Sequence, residues 1–244
     1  MRVCALLSGG KDSNYALYKA MGEGAEVACI VVVHPMREDS WMFHSINTSV
    51  AGLQAEAMGL RDRVYNVAVS GVKEREVEEL GASLAELWRT TGFDTIVVGA
   101  IASRYQMERI KRLALKLGVK VYAPLWGLNQ EEYLRMLVRE GFKFVITSVT
   151  TMGLPPRLLG RPVGLGEVEE IVRLSKIYGF NPAFEGGEAE TLVYDAPHYK
   201  QTICLEGVVV KVREFECKLI VRRAWLGGKG SDCIRVQGAV DTKP

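Results

Sequence analysis

Residues 2–13 read RVCALLSGGKDS, and this stretch decides the fold. Residues 2–7 are a short apolar run, the mark of a buried strand. From Asp12 to Met21 apolar residues recur at helical spacing, and the pattern closes at Gly22. Ser8 to Ser13 therefore join a first strand to a first helix. Gly9 and Gly10 let the backbone turn tightly and bring its amides close to an anion. The helix start aims N–H groups and a partial positive charge at the same spot. Ser8 and Ser13 add hydroxyls, and Lys11 adds a mobile cation. Neither GxxxxGK[ST] nor GxGxxG is present. Asp12 would repel phosphates unless magnesium lay between them; the other reading is that it caps the helix.

Outward from this loop, apolar strands are expected at 26–33, 63–69, 94–99 and 119–122. Helices are expected at 45–58, 73–90 and 103–117, the last opened by Ser103 and Gln106 at capping-box spacing. The alternation predicts an α/β fold, a Rossmann-like parallel sheet covered on both faces. The beat changes near Pro124. A helix at 129–140 and a strand at 142–149 follow. Residues 154–166, LPPRLLGRPVGLG, read as a surface loop. A helix at 167–178 and antiparallel strands from Thr191 complete a smaller α+β domain. The expected organisation is a nucleotide-binding domain at 1–125, a substrate domain at 126–226 and a flexible tail at 227–244. The active site is expected in the cleft between the two domains.

The composition is that of a globular chain: 48% hydrophobic and 25% charged over 244 residues, with a net charge of +2. Such a balance argues for neither nucleic acid nor a membrane as partner. No signal peptide or span is visible, so the cytoplasm is the expected location. Lys- and Arg-punctuated helices and few asparagines are compatible with a thermophile. The five cysteines, Cys4, Cys29, Cys204, Cys217 and Cys233, are scattered, odd in number and without a CxxC pair. Buried free thiols are expected rather than disulfides or a zinc site. The sequence sets no oligomeric state and leaves a homodimer open.

Ligands of open parallel sheets bind beyond the carboxyl ends of the strands, at a switch point. The loop after the first strand, His34 after the second, and Gly99, Ala100 and Ile101 after the fourth would line one crevice. Gly99 would let adenosine approach the backbone. His34 would contact the base or serve the structure. Residues 37–48, with Trp41, Phe43 and His44, are a mobile lid or an ordinary packed loop.

A second segment, 181–198, reads NPAFEGGEAETLVYDAPH. From Ile177 to Tyr199 there is no lysine or arginine, yet Glu185, Glu188, Glu190 and Asp195 occur. Four acids repel unless something cationic is near. Gly186 and Gly187 supply a bend that could gather them. With Phe184, Tyr194 and Tyr199 they suit a quaternary ammonium group, ammonium or magnesium. The plainer reading is a solvated acidic turn.

The SGGxDS loop after a buried strand resembles the PP-loop of N-type ATP pyrophosphatases, which implies that it holds pyrophosphate. Together with GAIASRYQMERI at 99–110, PLWGLNQEEYL at 124–134 and EGGEAETLVYDAP at 185–197, it resembles the diphthine–ammonia ligase family over residues 3 to about 222. The resemblance implies ATP-dependent amidation of diphthine, a modified histidine of translation elongation factor 2, with ammonium as nitrogen donor. An acyl-adenylate would form, and AMP and pyrophosphate would leave. ATP and Mg2+ are the implied cofactors. Ser8 to Ser13, His34 and Gly99 to Ile101 would bind ATP. Lys11, Asp12, Glu185 and Glu188 would be catalytic, the two glutamates holding the trimethylammonium or taking a proton from ammonium. Ser103, Tyr105, Gln106, Arg109, Glu185, Gly186, Gly187, Glu188, Glu190, Thr191 and Asp195 would contact substrate. Arg109 would meet phosphate or the substrate carboxylate, or face solvent. The family pattern has an aromatic where Ala189 stands, which sets aside any role for that position. No glutaminase motif is visible, so free ammonium is the expected donor.

Two other readings compete. A tRNA-modifying PP-loop enzyme would adenylate a base; thiolases of that kind commonly need paired cysteines, and an RNA binder should show a basic face. Residues 200–244 hold nine Lys/Arg against five Asp/Glu, a mild excess. A nucleotide sensor without turnover would leave the acidic segment unexplained.

Overall fold

Seven consecutive buried residues, Val27 to Val33, run through strand β2 (Glu26–Pro35). A strand buried on both faces belongs inside a parallel sheet, and the computed structural model, which describes residues 1–36 and 48–241, places it there. Strands β1 (Arg2–Leu6), β2, β3 (Val64–Val69), β4 (Thr95–Val97) and β5 (Lys120–Tyr122) form one parallel sheet in the order β3-β2-β1-β4-β5. Helices α1 (Lys11–Gly22), α2 (Thr48–Met58), α3 (Arg75–Thr91) and α4 (Arg104–Leu117) alternate with the strands. α3 buries Val77, Leu80, Leu84 and Leu87, and α4 buries Met107, Ile110, Leu113 and Ala114, each set at the spacing of one helical face. Both sets join Val31, Val33, Val67 and Ile96 in one core cluster. The proposed lid with Trp41, Phe43 and His44 lies outside the described residues.

The chain divides into two compact units, one of residues 1–56 and 60–127, the other of Ala57–Gly59 and everything from Leu128 on. The second unit holds α5 (Gln130–Arg139), β6 (Lys143–Val149), α6 (Leu165–Tyr178), β7 (Ala189–Asp195), β8 (Thr202–Arg213), β9 (Glu216–Gly227) and β10 (Ile234–Asp241). Its mixed sheet runs β10-β8-β9-β6-β7. On the outer side of the helices Arg135 of α5 grips Glu169 of α6 with two hydrogen bonds of 2.7 and 2.9 Å. No helix among the described residues is long and apolar enough to cross a membrane.

Three expectations need correction. Residues 227–241 of the expected tail are not frayed, because β10 pairs in parallel with β8 from Ile234↔Leu205 to Asp241↔Lys211. The cysteines are not all free thiols. Cys4 and Cys29 are register partners on adjacent strands, 4.5 Å apart at Cα, and are bonded; Cys204 of β8 is bonded to Cys233, just before β10, at a Cα distance of 4.9 Å. Only Cys217 is free. Disulfides inside cells are a feature of hyperthermophile proteins, so these bonds do not by themselves exclude the cytoplasm. Finally, the Pro- and Gly-rich stretch 154–166 buries Leu154, Leu158, Leu159 and Val163. Two isolated bridges, Val145↔Pro162 and Ile146↔Leu159, lay it along β6.

Candidate active site

The strand order places a switch point between β1 and β4, since the chain winds outward to β2 and β3 on one side and to β5 on the other. The loop after β1 is Ser8-Gly9-Gly10, and it runs straight into α1. Gly9 turns it with a φ of 86°, a left-handed conformation that favours glycine. Gly10 is the N-cap of α1 and brings no side chain to the helix end. Asp12 therefore does not cap the helix; it lies in the first turn. Ser13 closes the loop from inside. Its hydroxyl lies 3.0 Å from the Ser8 hydroxyl, accepts the Ser8 N–H at 3.2 Å and donates to the Gly10 carbonyl at 3.2 Å. The Lys11 side chain is buried, and its Nζ donates to Asp12 Oδ2 at 2.9 Å, while a quarter of the Asp12 side chain remains exposed.

Gly99 follows β4 and already has a close neighbour. A Cβ there would lie 2.5 Å from the Asp12 carbonyl carbon and the Ser13 nitrogen. The neighbour that requires glycine is thus the backbone of α1. Ala100 and Ile101 are buried, so their side chains serve the core, and the Ile101 carbonyl accepts the Gly127 N–H. His34, at the carboxyl end of β2, is fastened through Nε2 to Asn66 Oδ1 of β3 at 2.8 Å.

On α4, Ser103 is the N-cap, and its hydroxyl accepts the Gln106 N–H at 3.4 Å. Gln106 itself is half-buried. Arg109 is turned away from solvent and held by its neighbours. Its guanidinium lies 3.3 Å from the centroid of the Tyr105 ring and is bound by Glu74 through Nε, at 3.0 Å, and through Nη2. The Tyr105 hydroxyl donates to the same Glu74 oxygen at 3.4 Å. Arg109 holds the Glu74 carboxyl below its ordinary range, against a smaller effect of burial. Glu74 sits at φ 67°, a conformation few non-glycine residues adopt and one that concentrates at functional sites.

The acidic segment is not one cluster. Glu188 turns back on its own loop: Oε1 accepts the backbone and side-chain N–H groups of Asn181, both at 2.9 Å, and Oε2 accepts the Gly186 N–H at 2.8 Å. A side chain on Gly186 would collide with that carboxylate. Gly187 and Phe184 both take positive φ, at 82° and 67°. Glu185 is half-buried in the same turn. Glu190 lies on β7 opposite Ser148, and Thr191, opposite Ile146, is buried. Asp195 belongs elsewhere. Seven residues past Glu188 along an extended chain, it is on the order of 23 Å away. It is buried, accepts the Thr202 hydroxyl at 2.8 Å and is paired with Lys229. One of its cations comes from the supposed tail; the other, Lys143 of β6, stands 3.9 Å away. Phe184, Tyr194 and Tyr199 are all buried. Burial, with Asp195 adding to it, raises the Tyr194 hydroxyl to about 12.

Sequence reasoning missed Gln54, Asn14, Glu74 and Lys229. Gln54 and Asn14 are fully buried beside the loop. Gln54 left one signal, a lone amide in the run SVAGL-AEAM of α2, where Ser49 and Glu56 are the only other polar residues.

A parallel sheet with a glycine loop and helix N-terminus at its switch point defines a Rossmann-like α/β protein, a class of sheet that takes its ligands at this place. The family model described as Diphthamide synthase N-terminal domain matches residues 1–121, and Diphthamide synthase C-terminal domain matches residues 129–234. The diphthine–ammonia ligase of Rattus norvegicus is 33% identical over 226 residues, covering 84% of this chain and 83% of that protein. The Homo sapiens ligase of the same name is 32% identical, covering 87% and 85%. That of Schizosaccharomyces pombe is 32% identical over 84% of this chain but only 36% of its own length. A solved structure, described as a predicted subunit of tRNA methyltransferase from Methanocaldococcus jannaschii, superposes over 81% of this chain and 98% of that one with 16% identity and a TM-score of 0.43, too slight a likeness to bear on function. The chain belongs to the diphthamide synthase family. It is an ATP-dependent ligase.

Proposed function

We propose that this protein amidates the carboxylate of diphthine on translation elongation factor 2 with ammonium, splitting ATP to AMP and pyrophosphate. The observation that supports the reading most is the Ser8–Ser13 loop, braced by Ser13 and packed against Gly99, in a chain whose two halves both match the diphthamide synthase models. A carboxylate is a poor acyl donor because its oxygen leaves badly. Attack of that oxygen on the α-phosphorus expels pyrophosphate and forms an acyl-adenylate. Ammonia then adds to the acyl carbon, AMP leaves, and the amide remains.

Negative charge grows on the departing pyrophosphate, so donors already aimed at it stabilise the transition state. The Gly9 and Gly10 backbone, the α1 N-terminus, Lys11 and the Ser8 and Ser13 hydroxyls would supply them. Magnesium takes one or two carboxylates together with substrate phosphates. Asp12 fits that need: it is the acid of the loop, partly exposed, and already 2.9 Å from a cation that it holds. Among the described residues no group of three or more His, Cys, Asp or Glu could hold a metal by itself. When bound, the ion would neutralise phosphate charge.

In the acidic turn the two glutamates would divide the work. Glu188 would shape the turn, since both its oxygens already accept loop N–H groups. Glu185 would then meet ammonium or the trimethylammonium group. Tyr105 and Gln106 on α4 would contact substrate, with Arg109 positioned by Glu74.

The test uses diphthine-bearing elongation factor 2 with ATP, magnesium and ammonium. Mass spectrometry of the modified peptide should show acid becoming amide, with AMP and pyrophosphate formed in equal amount. Asp12→Ala should abolish both. ATP binding without conversion would return the substrate to question, with tRNA next in line.

A further inference from the structure

Two amide side chains are fully buried beside the phosphate loop, Gln54 on α2 and Asn14 on α1. Their hydrogen bonds share one purpose. Gln54 Nε2 donates to the Gly9 carbonyl at 2.8 Å. Asn14 Nδ2 donates to the Gly10 carbonyl at 2.9 Å, and to Gln54 Oε1 at 3.3 Å. The pair thus holds two successive carbonyl oxygens of the loop on its buried side.

No peptide among the described residues is cis. In a planar trans peptide the C=O and the following N–H point to opposite sides. Drawing the Gly9 oxygen inward therefore turns the Gly10 N–H outward. Drawing the Gly10 oxygen inward does the same for the Lys11 N–H. Successive amides facing one way make an anion-binding nest, and this one lies at a helix N-terminus. The Gly10 N–H faces the Ser8 hydroxyl at 3.4 Å, a long contact that an anion oxygen would replace.

The geometry points to Gln54 as a positioning residue for the pyrophosphate moiety of the nucleotide. It fixes the peptide plane between Gly9 and Gly10, and through Asn14 it steadies the next plane, so the loop amides are aimed before ATP arrives. The inference rests on the reading of this loop as the phosphate site. Without Gln54 the Gly9–Gly10 peptide keeps only the long Gly10 N–H contact to the Ser8 hydroxyl, and neither glycine has a side chain to hold it.

The experiment is calorimetric titration of the full chain with inorganic pyrophosphate and, separately, with adenosine. Gln54→Met keeps the length and loses the donor. It should weaken pyrophosphate binding roughly tenfold or more, the scale of a lost hydrogen bond that organises a charged ligand. Adenosine affinity should stay near that of the parent, while the urea midpoint falls only modestly, because the buried Gly9 oxygen and Asn14 amide lose their partner. Equal pyrophosphate affinity, or parallel loss of both ligands, overturns the inference. Should that variant not fold, Gln54→Glu decides. A protonated carboxyl can donate to the Gly9 oxygen and a carboxylate cannot. Pyrophosphate affinity relative to the parent, taken at each pH from about 9 down to about 5, should recover toward acid as the carboxyl protonates. A flat ratio overturns the inference. A parent protein that binds neither ATP nor pyrophosphate would instead refute the phosphate-site reading itself.

Discussion

Gly99 presses its α-carbon against the backbone of Asp12 so closely that a methyl group would sit 2.5 Å from the Asp12 carbonyl carbon. Real Cβ atoms do not approach backbone so closely, and here it is the rigid start of α1 that would have to move. Gly99→Ala is expected to cost about 1–3 kcal/mol of stability, the usual scale of overpacking. Because the displaced segment is the loop proposed to hold the phosphates, ATP affinity should fall with it. Urea denaturation and an ATP titration on the same sample check both; a stable variant with unaltered ATP affinity would show that the loop is not braced from β4.

Glu188 can be asked whether it shapes the turn or handles protons. Glu188→Gln retains a carbonyl oxygen able to accept from Asn181, whereas Glu188→Ala leaves three N–H groups without their acceptor. The alanine variant should lose about 1–3 kcal/mol and the glutamine variant a smaller part of it. Amide formation at saturating ATP should follow the same ranking. Complete inactivity of Glu188→Gln at near-normal stability would assign the carboxylate to proton transfer.

Lys229 and Asp195 tie the segment before β10 to the end of β7, with the Lys229 Nζ also donating to the Ala196 carbonyl at 2.7 Å. Lys229→Met removes one partner of a pair whose carboxylate is buried. The loss should be about 1–3 kcal/mol, below the value for two fully buried ions because Lys229 is itself half exposed. Reduction of the Cys204–Cys233 bond, which closes a loop of 29 residues, should cost about 2–4 kcal/mol more. Thermal unfolding with and without reductant, for both proteins, measures the two terms.

His198 predicts a pH dependence. It packs against the rings of Phe142 and Tyr199, and burial, aided by Lys229, lowers its pKa from 6.5 to about 3. Between those values the unfolded chain holds a proton that the folded chain does not. Stability from this group is therefore complete above about pH 6.5 and falls as the pH drops toward about 3, by at most about 1.4 kcal/mol per pH unit. His198→Gln should flatten the stability profile of the parent across that window. Parallel profiles for the two proteins would refute the assignment.

What was legible in the sequence was what is local. Strands β1 to β5 and helices α1, α3 and α4 fall within a residue or two of the expected spans, because apolar spacing and glycine stops are short-range signals. The SGGKDS loop was legible for the same reason. Partners distant in sequence were not. Nothing near Asp195 announces Lys229, 34 residues on. Nothing near Cys4 announces Cys29, which only the parallel register of β1 and β2 brings alongside. The Pro- and Gly-rich stretch misled by composition, since its leucines and valine, not its turns, decide where it lies. Gln54 was hidden because a buried amide and an exposed one look alike in a sequence.

The parallel seating of β10 on β8 orders events during synthesis. When β8 and β9 have left the ribosome they can pair as a hairpin at once, but the other edge of β8 stays bare until residues 234–241 follow. That edge carries Val208 and Val210, later matched to Gln237 and Val240. Until then it is a template for any passing strand. The interval between the emergence of Arg213 and of Asp241 is thus the one in which this edge of a nascent chain is open to misassembly.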